Sequence, residues 1–493
     1  MGTREGTITV GLDPGLRRLA LGTLLGAYPG PVPPDWAVDL VADGLAGHTL
    51  FGTNVHDPAQ VAATTAALRQ GRPDVVIAID EEGGDVTRLA HATGSPYPGN
   101  AALGAIGDVA LTRRVYEAIG GELAALGVTV NLAPTVDVNT ADENPVIGTR
   151  SFGADPVRVA AHSAAAVAGL QSTGVAACAK HFPGHGATVA DSHHELPTVD
   201  VPLDLLRRRD LPPFAAVVAA GAQAVMTAHI RVPALTADGP ATFSRAVLVD
   251  LLRTEVGFTG AVITDALEMK GAAVAAGGIG PAAVRALAAG ADLLCIGAKV
   301  DADLIEQVAA EIVAALDDGR LDRARVEEAA GRAAALAAWT RGAGRAPTEG
   351  DTDLGYAAAR RAVRVEGVLG ELGRPLVVQL YAASTMAEGR VPWGLGPHLA
   401  DVEEVRVVAA EADPESLRRL AGERPIVLVG RHLHRLSGGP ELVGALAARH
   451  AVTVVEMGWP AQWRPTGVRA FVTTYGASHA NGRAAAEALG LAG

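Results

Sequence analysis

The feature of this sequence that most limits its fold is an alternation of short apolar runs with longer stretches of helical spacing. The runs are mostly continuous and apolar, which is typical of strands buried on both faces. The stretches between them include 58–68, 111–126, 156–173 and 203–220. Candidate strands in the first two-thirds of the chain lie at 47–51, 75–80, 128–133, 175–181, 224–230, 261–265 and 292–296.

Strands that alternate with helices indicate a parallel α/β sheet. An eighth strand is possible at 19–25, although that run is equally compatible with an opening helix. Seven or eight such units before residue 341 predict a (β/α)8 TIM-like barrel with inserted loops. A doubly wound open sheet is the alternative.

A second, smaller domain is expected after the barrel, which we place at 1–341. Residues 342–355 are rich in Gly, Pro and charge, so we expect a linker there. Residues 356–493 then predict a C-terminal α/β sandwich of ordinary domain size. Its candidate strands lie at 376–381, 405–409, 426–430, 452–457 and 470–475.

The charge balance narrows the classes of partner. Lys and Arg total 41 against 54 Asp and Glu, a net charge of −13, so we expect no nucleic-acid partner. Neither a Walker motif nor a strand-to-helix GxGxxG is present. The uncharged stretches 159–179 and 211–230 contain polar residues, and we expect helix–turn–strand segments there and no membrane partner.

The first residues carry no apolar signal core behind a basic start, which favours a cytoplasmic location. The two cysteines, Cys178 and Cys295, lie within apolar runs, so we expect buried thiols and no disulfide.

Polar side chains cluster at one end of the candidate strands, and this predicts an enzyme. The carboxyl ends of barrel strands carry the active site in this architecture. The residues concerned are Asp80, Lys180, His181, His229 and Asp265.

Segment 180–197 holds a lysine, four histidines, an aspartate and a glutamate between a buried strand and the next helix. Lys180 and His181 need partners, because a buried charge is costly unless it is paired. The two-residue spacing of Asp191 and His193 lets a carboxylate fix the imidazole tautomer, although a surface ion pair is equally common. A metal site of clustered histidines is disfavoured, since no HExxH or cysteine pattern accompanies them.

Three further groups have open interpretations. Asp265 directly follows a candidate strand, and its position fits a nucleophile or the N-cap of the next helix equally well. The acids from Asp80 onward could bind sugar hydroxyls or a cation. Arg150 lies in a loop, where it could bind a carboxylate or a pair of hydroxyls.

Together these segments resemble glycoside hydrolase family 3, and most closely its bacterial two-domain β-N-acetylhexosaminidase branch. The matching motifs occur in the family's order. They are 79–84 (IDEEGG), 131–137 (NLAPTVD), 150–153 (RSFG), 180–186 (KHFPGHG), 191–193 (DSH), 226–229 (MTAH) and 263–267 (ITDAL).

The resemblance implies a retaining mechanism through a covalent glycosyl–aspartate intermediate. It assigns Asp265 as nucleophile, His193 as general acid/base and Asp191 as the partner that orients His193. It also places Asp80, Arg88, Arg150, Lys180 and His181 around the sugar in the −1 subsite. It requires no metal and no organic cofactor.

We therefore expect a glycoside hydrolase that removes terminal N-acetylglucosamine from small oligosaccharides. A family 3 β-glucosidase or β-xylosidase, a phosphate-using N-acetylglucosaminide phosphorylase and a non-catalytic sugar-binding protein are the alternatives. Position 85 is Asp where many family members have Arg, so outer contacts or specificity are expected to differ. The C-terminal domain is expected to pack against the barrel and shape its rim.

Overall fold

The structure is a computed structural model that describes residues 12–344, 350–382 and 384–493. The N-terminal segment considered above and residues 345–349 of the expected linker lie outside the described residues. Eight parallel strands form the first sheet, in the order β7-β6-β5-β4-β3-β2-β1-β8. Their bounds are β1 Leu24–Gly26, β2 Gly47–Leu50, β3 Val76–Ile79, β4 Val130–Asn131, β5 Ala176–Phe182, β6 Ala224–Thr227, β7 Ala261–Thr264 and β8 Leu294–Cys295.

A parallel bridge between Ile263 and Leu293 joins the two outer strands, so the sheet closes into a barrel. The TIM-like fold is thereby confirmed, and the open doubly wound sheet is excluded. The ambiguous run 19–25 contains both elements, because helix Pro14–Leu21 ends inside it before β1 begins.

Helices around the barrel begin at recognisable signals. Asp57 and Asp155 each accept a backbone hydrogen bond at a helix start, and proline occupies the first turn that follows. A π-helical segment, Ala246–Glu255, lies between β6 and β7. The α-helices are α1 Pro14–Leu21, α2 Asp35–Asp43, α3 Pro58–Gly71, α4 Asn100–Ile106, α5 Val109–Ala125, α6 Pro156–Gln171, α7 Leu203–Arg209, α8 Leu211–Ala219, α9 Pro233–Thr236, α10 Lys270–Ala276, α11 Ile279–Ala289, α12 Ala302–Asp317 and α13 Arg323–Gly342.

The interior of the barrel is filled by side chains from the strands, among them Val76, Ala176 and Ile263. Leu336 and Ala337 of α13 join this inner cluster. Leu132 and Met226 belong to the same cluster and also line the cavity described below. The barrel is therefore a packed core, and its carboxyl end is left to hold the site.

The second domain contains a six-stranded sheet in the order β11-β10-β12-β13-β14-β9, packed between two apolar clusters. All strands are parallel except β9, an exposed edge strand that the sequence patterns did not predict. Helix α14 begins at Thr352, inside the expected linker. The elements are α14 Thr352–Ala362, β9 Arg364–Gly367, β10 Leu376–Leu380, β11 Glu403–Val407, α15 Pro414–Ala421, β12 Ile426–Gly430, α16 Gly439–Ala447, β13 Val452–Glu456, β14 Ala470–Thr473 and α17 His479–Ala488.

Within the described residues, no single helix is both long and apolar enough to cross a membrane. One helix pair, α10 with α11, meets that test together but is bent by 93°. The stretches 159–179 and 211–230 form helix–turn–strand segments, as their polar residues indicated. Cys178 and Cys295 are buried free thiols.

Candidate active site

A cavity of about 160 Å³ opens at the carboxyl ends of the barrel strands. Seven of the eight predicted site residues line it, and the eighth, Asp191, is bonded to one of them. The lining residues with polar or charged side chains include Thr49, Asp80, Glu82, Arg88, Arg150, Lys180, His181, His185, Ser192, His193, Asp265 and Glu268.

Asp265 lies directly after β7, and its Oδ1 accepts a hydrogen bond from the backbone N–H of Ala266 at 2.8 Å. The next helix, α10, is preceded by Met269 at its N-cap, so Asp265 is not the cap of that helix. Burial alone would raise the pKa of Asp265. Nearby histidines, His229 first among them, and the Ala266 N–H outweigh burial and lower the pKa below its ordinary value. The carboxylate is therefore ionised at neutral pH.

His193 and Asp191 form a hydrogen-bonded pair in the loop after β5. Nδ1 of His193 lies 2.6 Å from Oδ1 of Asp191, and the same oxygen accepts the His193 backbone N–H at 2.9 Å. Burial would raise the pKa of Asp191, but the hydrogen bonds from His193 lower it overall. The ionised carboxylate occupies Nδ1, which leaves Nε2 as the ring nitrogen available for proton transfer.

Lys180 and Arg150 converge on two carboxylates at the floor of the cavity. Nζ of Lys180 lies 2.8 Å from Oδ1 of Asp80 and 2.7 Å from Oε1 of Glu82. Arg150 holds Glu82 with two nitrogens, at 2.8 and 3.0 Å. Burial raises the pKa of Glu82, but Arg150 and Lys180 overcome it and lower the pKa well below the ordinary value. The cluster is thus a fully ionised, paired network.

His181 is oriented by a carboxylate of its own. Nδ1 of His181 lies 2.8 Å from Oδ2 of Asp137, and Nε2 lies 3.3 Å from an Arg150 nitrogen. Because a guanidinium only donates, Nε2 accepts and Nδ1–H donates to Asp137. Burial would raise the pKa of Asp137, and the contact with His181 lowers it.

Arg88, which is predicted to bind the sugar, also binds the C-terminal domain. Its guanidinium donates to the carbonyl of Ala387 at 2.8 Å and lies 3.5 Å from Oδ2 of Asp80. Met386 and Ala387 themselves line the cavity. The second domain therefore contributes part of the cavity wall, beyond the rim packing that we expected.

Asp85, the position that departs from the family pattern, is buried between the two domains. Its carboxylate accepts from Thr149 Oγ1 at 2.6 Å, from the Ala477 backbone N–H at 2.7 Å and from Arg431 at 3.2 Å. Two of these contacts, with Ala477 and Arg431, join the barrel to the C-terminal domain, whereas the contact with Thr149 lies within the barrel domain.

Sequence reasoning missed several of these groups. Glu82 lies three residues after the end of β3 and Asp137 six residues after the end of β4. Both lie inside motifs already noted, so the motifs gave a usable signal for both. Met386 and Ala387 gave none, because they reach the cavity from a loop of the other domain.

Among the residues that the structure describes, no group of three or more His, Cys, Asp or Glu side chains is placed to hold a metal ion. His185 bonds Thr188 Oγ1 at 2.7 Å and Ser192 Oγ at 3.2 Å. These contacts anchor the loop that carries His193.

Comparison with known proteins gives concordant findings. The sequence model described as the glycosyl hydrolase family 3 N terminal domain matches residues 34–336. The chain is 36% identical over 331 residues to the beta-hexosaminidase A of Pseudoalteromonas piscicida, across 62% of this chain and 55% of that protein. The match therefore spans just over half of that relative's length.

The chain is also 39% identical over 259 residues to a beta-hexosaminidase of Chromobacterium violaceum, across 51% of this chain and 71% of that protein. Among solved structures, a glycoside hydrolase family 3 beta-N-acetylglucosaminidase from Paenibacillus sp. str. FPU-7 is similar at a TM-score of 0.86 and 32% identity. That similarity covers 97% of both chains, so it includes both domains.

Proposed function

The chain belongs to glycoside hydrolase family 3, and on that premise we propose that it is a retaining exo-β-N-acetylglucosaminidase that acts on small oligosaccharides. The observation that carries the proposal is the joint placement of Asp265 and the His193–Asp191 pair around one cavity. The names of the similar hexosaminidases support the choice of sugar.

In the first step, an oxygen of Asp265 attacks the anomeric carbon while the bond from that carbon to the leaving oxygen breaks. His193 donates its Nε2 proton to the leaving oxygen, and Asp191 stabilises the imidazolium before transfer. The ionised state of Asp265 suits this attack, since only the carboxylate is nucleophilic.

In the second step, the neutral Nε2 of His193 accepts a proton from water. The oxygen of that water attacks the anomeric carbon, and Asp265 departs as a carboxylate. Two displacements at one carbon leave its configuration unchanged. A histidine in this role adds no second negative charge beside the nucleophile.

The floor network binds the sugar in this proposal. Lys180, Arg150 and Asp80 present donors and an acceptor to ring hydroxyls. The contacts of Lys180 and Asp80 with these hydroxyls strengthen as the oxocarbenium-like transition state develops, so these two residues accelerate the reaction as well as bind the substrate.

A panel of β-nitrophenyl glycosides tests the proposal. We expect turnover of the N-acetylglucosaminide to exceed that of the glucoside and xyloside by at least tenfold in kcat/KM. Preference for the glucoside or xyloside would refute the assigned sugar. Rates that require phosphate, with a sugar 1-phosphate as product, would assign phosphorolysis in place of hydrolysis.

A cytoplasmic location is also proposed. The two buried free cysteines fit a reducing compartment, where disulfides are rare. Fractionation of the producing cells, followed by immunodetection, would refute this location if the protein appeared outside the cytoplasm.

A further inference from the structure

A circuit of polar contacts connects the floor of the cavity to the C-terminal domain by two routes. By the first, Arg88 joins Asp80 to the backbone carbonyls of Ala387 at 2.8 Å and Glu388 at 3.5 Å. The Glu388 carboxylate then accepts from Arg431 at 2.5 Å.

By the second route, Arg431 reaches the floor through Asp85. The same Arg431 nitrogen lies 3.2 Å from Asp85, whose carboxylate binds the hydroxyl of Thr149 at 2.6 Å. Thr149 immediately precedes Arg150, which holds Glu82 and contacts His181. Arg431 therefore lies where the two routes meet.

The four charged side chains of the circuit, Asp85, Arg88, Glu388 and Arg431, are all buried. A buried charge is unfavourable unless an opposite charge and hydrogen bonds accompany it. A shift of the loop that contains Glu388 would separate these partners. The circuit therefore favours a single position of that loop. Met386 and Ala387 precede Glu388 and line the cavity, and we call residues 385–388 the roof segment.

We propose that Arg431, with Asp85 and Glu388, positions the roof segment and the two arginines Arg88 and Arg150, and so sets the affinity of the cavity for the sugar. The inference rests on the proposed function. Neither Arg431 nor its two partners line the cavity, so all three are positioning residues.

The chemical step should be largely independent of this circuit. Asp265 follows a barrel strand, and His193 is held by Asp191 within its own loop. Loss of Arg431 should therefore raise KM and change kcat little, because the affected contacts bind substrate and transition state alike.

The test compares two arginines that follow the same strand. Arg431→Gln breaks the circuit. Arg435→Gln is the matched control, because Arg435 also binds the barrel, through the Glu143 carbonyl at 2.6 Å, but outside the circuit. With the nitrophenyl N-acetylglucosaminide, we expect KM to rise roughly tenfold in Arg431→Gln with kcat within about twofold. Both constants should stay within about twofold in Arg435→Gln.

Arg431→Lys keeps the positive charge, and its KM should fall between those of the wild type and Arg431→Gln. Should Arg431→Gln fail to fold, Glu388→Gln interrupts the circuit at the roof segment and should raise KM in the same way. An unchanged KM, or equal changes in both arginine variants, would mean that Arg431 only docks the domains and would overturn the proposal.

Failure of the proposed function gives a separate result. A wild-type protein that turns over none of the glycosides refutes the function, and hydrogen exchange of the backbone amides at 384–390 then decides the inference. Exchange should be faster in Arg431→Gln than in the wild type and unchanged in Arg435→Gln. Equal exchange in all three proteins would overturn the positioning role.

Discussion

At the residue scale, the carboxylates of the cavity lie in two kinds of surroundings. Asp80 and Glu82 are paired with lysine and arginine, which hold them as fixed anions. Asp265 instead accepts a backbone N–H and faces histidines, and its pKa is lowered against the effect of burial. A carboxylate that is ionised without a tight cation partner keeps the electron density that nucleophilic attack needs.

Asp265→Asn should abolish turnover and leave the fold intact, since the amide fits the same space but cannot form the glycosyl ester. We expect kcat to fall by at least about 10³-fold. The melting curve should match the wild type. A variant that keeps more than a few per cent of wild-type kcat with an unchanged melting curve would contradict the nucleophile assignment.

His193→Ala should affect substrates with poor leaving groups most, because an activated nitrophenolate departs without a proton. General acid catalysis contributes roughly 10²–10⁴-fold, so a loss of that size is expected for the disaccharide. The loss with the nitrophenyl glycoside should be smaller. Asp191→Ala should be milder than His193→Ala, since it removes orientation and leaves the imidazole. Equal losses on both substrates in His193→Ala would make this histidine a binding group.

Glu82→Gln tests the floor network through its pH dependence. Because folding lowers the pKa of Glu82 from its ordinary 4.5, the carboxylate stabilises the fold above that pH and loses this effect as the pH falls. At pH 7 the free energy of unfolding of the variant should be about 3–5 kcal/mol lower than that of the wild type, because the substitution leaves buried cations partly unpaired. Urea titrations at pH 7 and pH 4 should show that the difference in free energy of unfolding between the wild type and the variant is smaller at pH 4. A gap that widens there would contradict this account.

At the element scale, the loop after β5 must pass close to the loop after β4 before it presents His193. A Cβ at Gly186 would lie 2.0 Å from the carbonyl oxygen of Val138, so the two backbones touch. His185 then anchors Ser192 in the same loop. Strand ends position Asp80 and Asp265, whereas His193 depends on this backbone contact.

Gly186→Ala should therefore destabilise the protein by about 1–3 kcal/mol and reduce kcat, because the added methyl group would push this loop away from Val138. Gly331→Ala is the control, because Gly331 lies within α13 with open space around its Cβ position. That substitution should stabilise by about 0.5–1 kcal/mol. Melting curves and kcat of both variants check the contrast, and a neutral Gly186→Ala would show that the loop is free to shift.

At the scale of the whole molecule, the cavity depends on the docking of two domains. Besides the circuit around Arg431, Trp459 donates to Asp142 at 3.0 Å, and the Tyr97 hydroxyl accepts the backbone N–H of Asp351 at 3.0 Å. Helix α14 approaches the barrel closely, because a Cβ on its Gly355 would lie 2.1 Å from the Pro96 carbonyl oxygen.

Calorimetry should show one cooperative unfolding transition for the wild type, since buried charges at the interface couple the domains. Gly355→Ala should lower Tm and broaden or split the transition, because it forces α14 away from the barrel. Gly444→Ala, in helix α16 with open space around it, should leave a single transition. A split transition in the wild type would show that the domains unfold independently.

The sequence by itself determined the barrel and most of the candidate site. Period and apolarity are local properties, so they revealed the strands, and chain order alone placed Asp80, Lys180 and Asp265 at strand ends. The sequence patterns did not predict the edge strand β9, because this strand is exposed and carries no apolar pattern. The roles of the site residues came from the resemblance of motifs and await the tests above.

Only the tertiary structure decided how the site is completed from the second domain. Arg88 meets the carbonyl of Ala387 across 299 positions, and Asp85 meets the N–H of Ala477 across 392. Such pairs form only when the two folded domains dock. The local sequence around each residue therefore does not indicate its partner. Domain docking determines which group lies beside each charge at the interface. A charge buried there is tolerated only where docking places an opposite charge or hydrogen-bonding groups next to it.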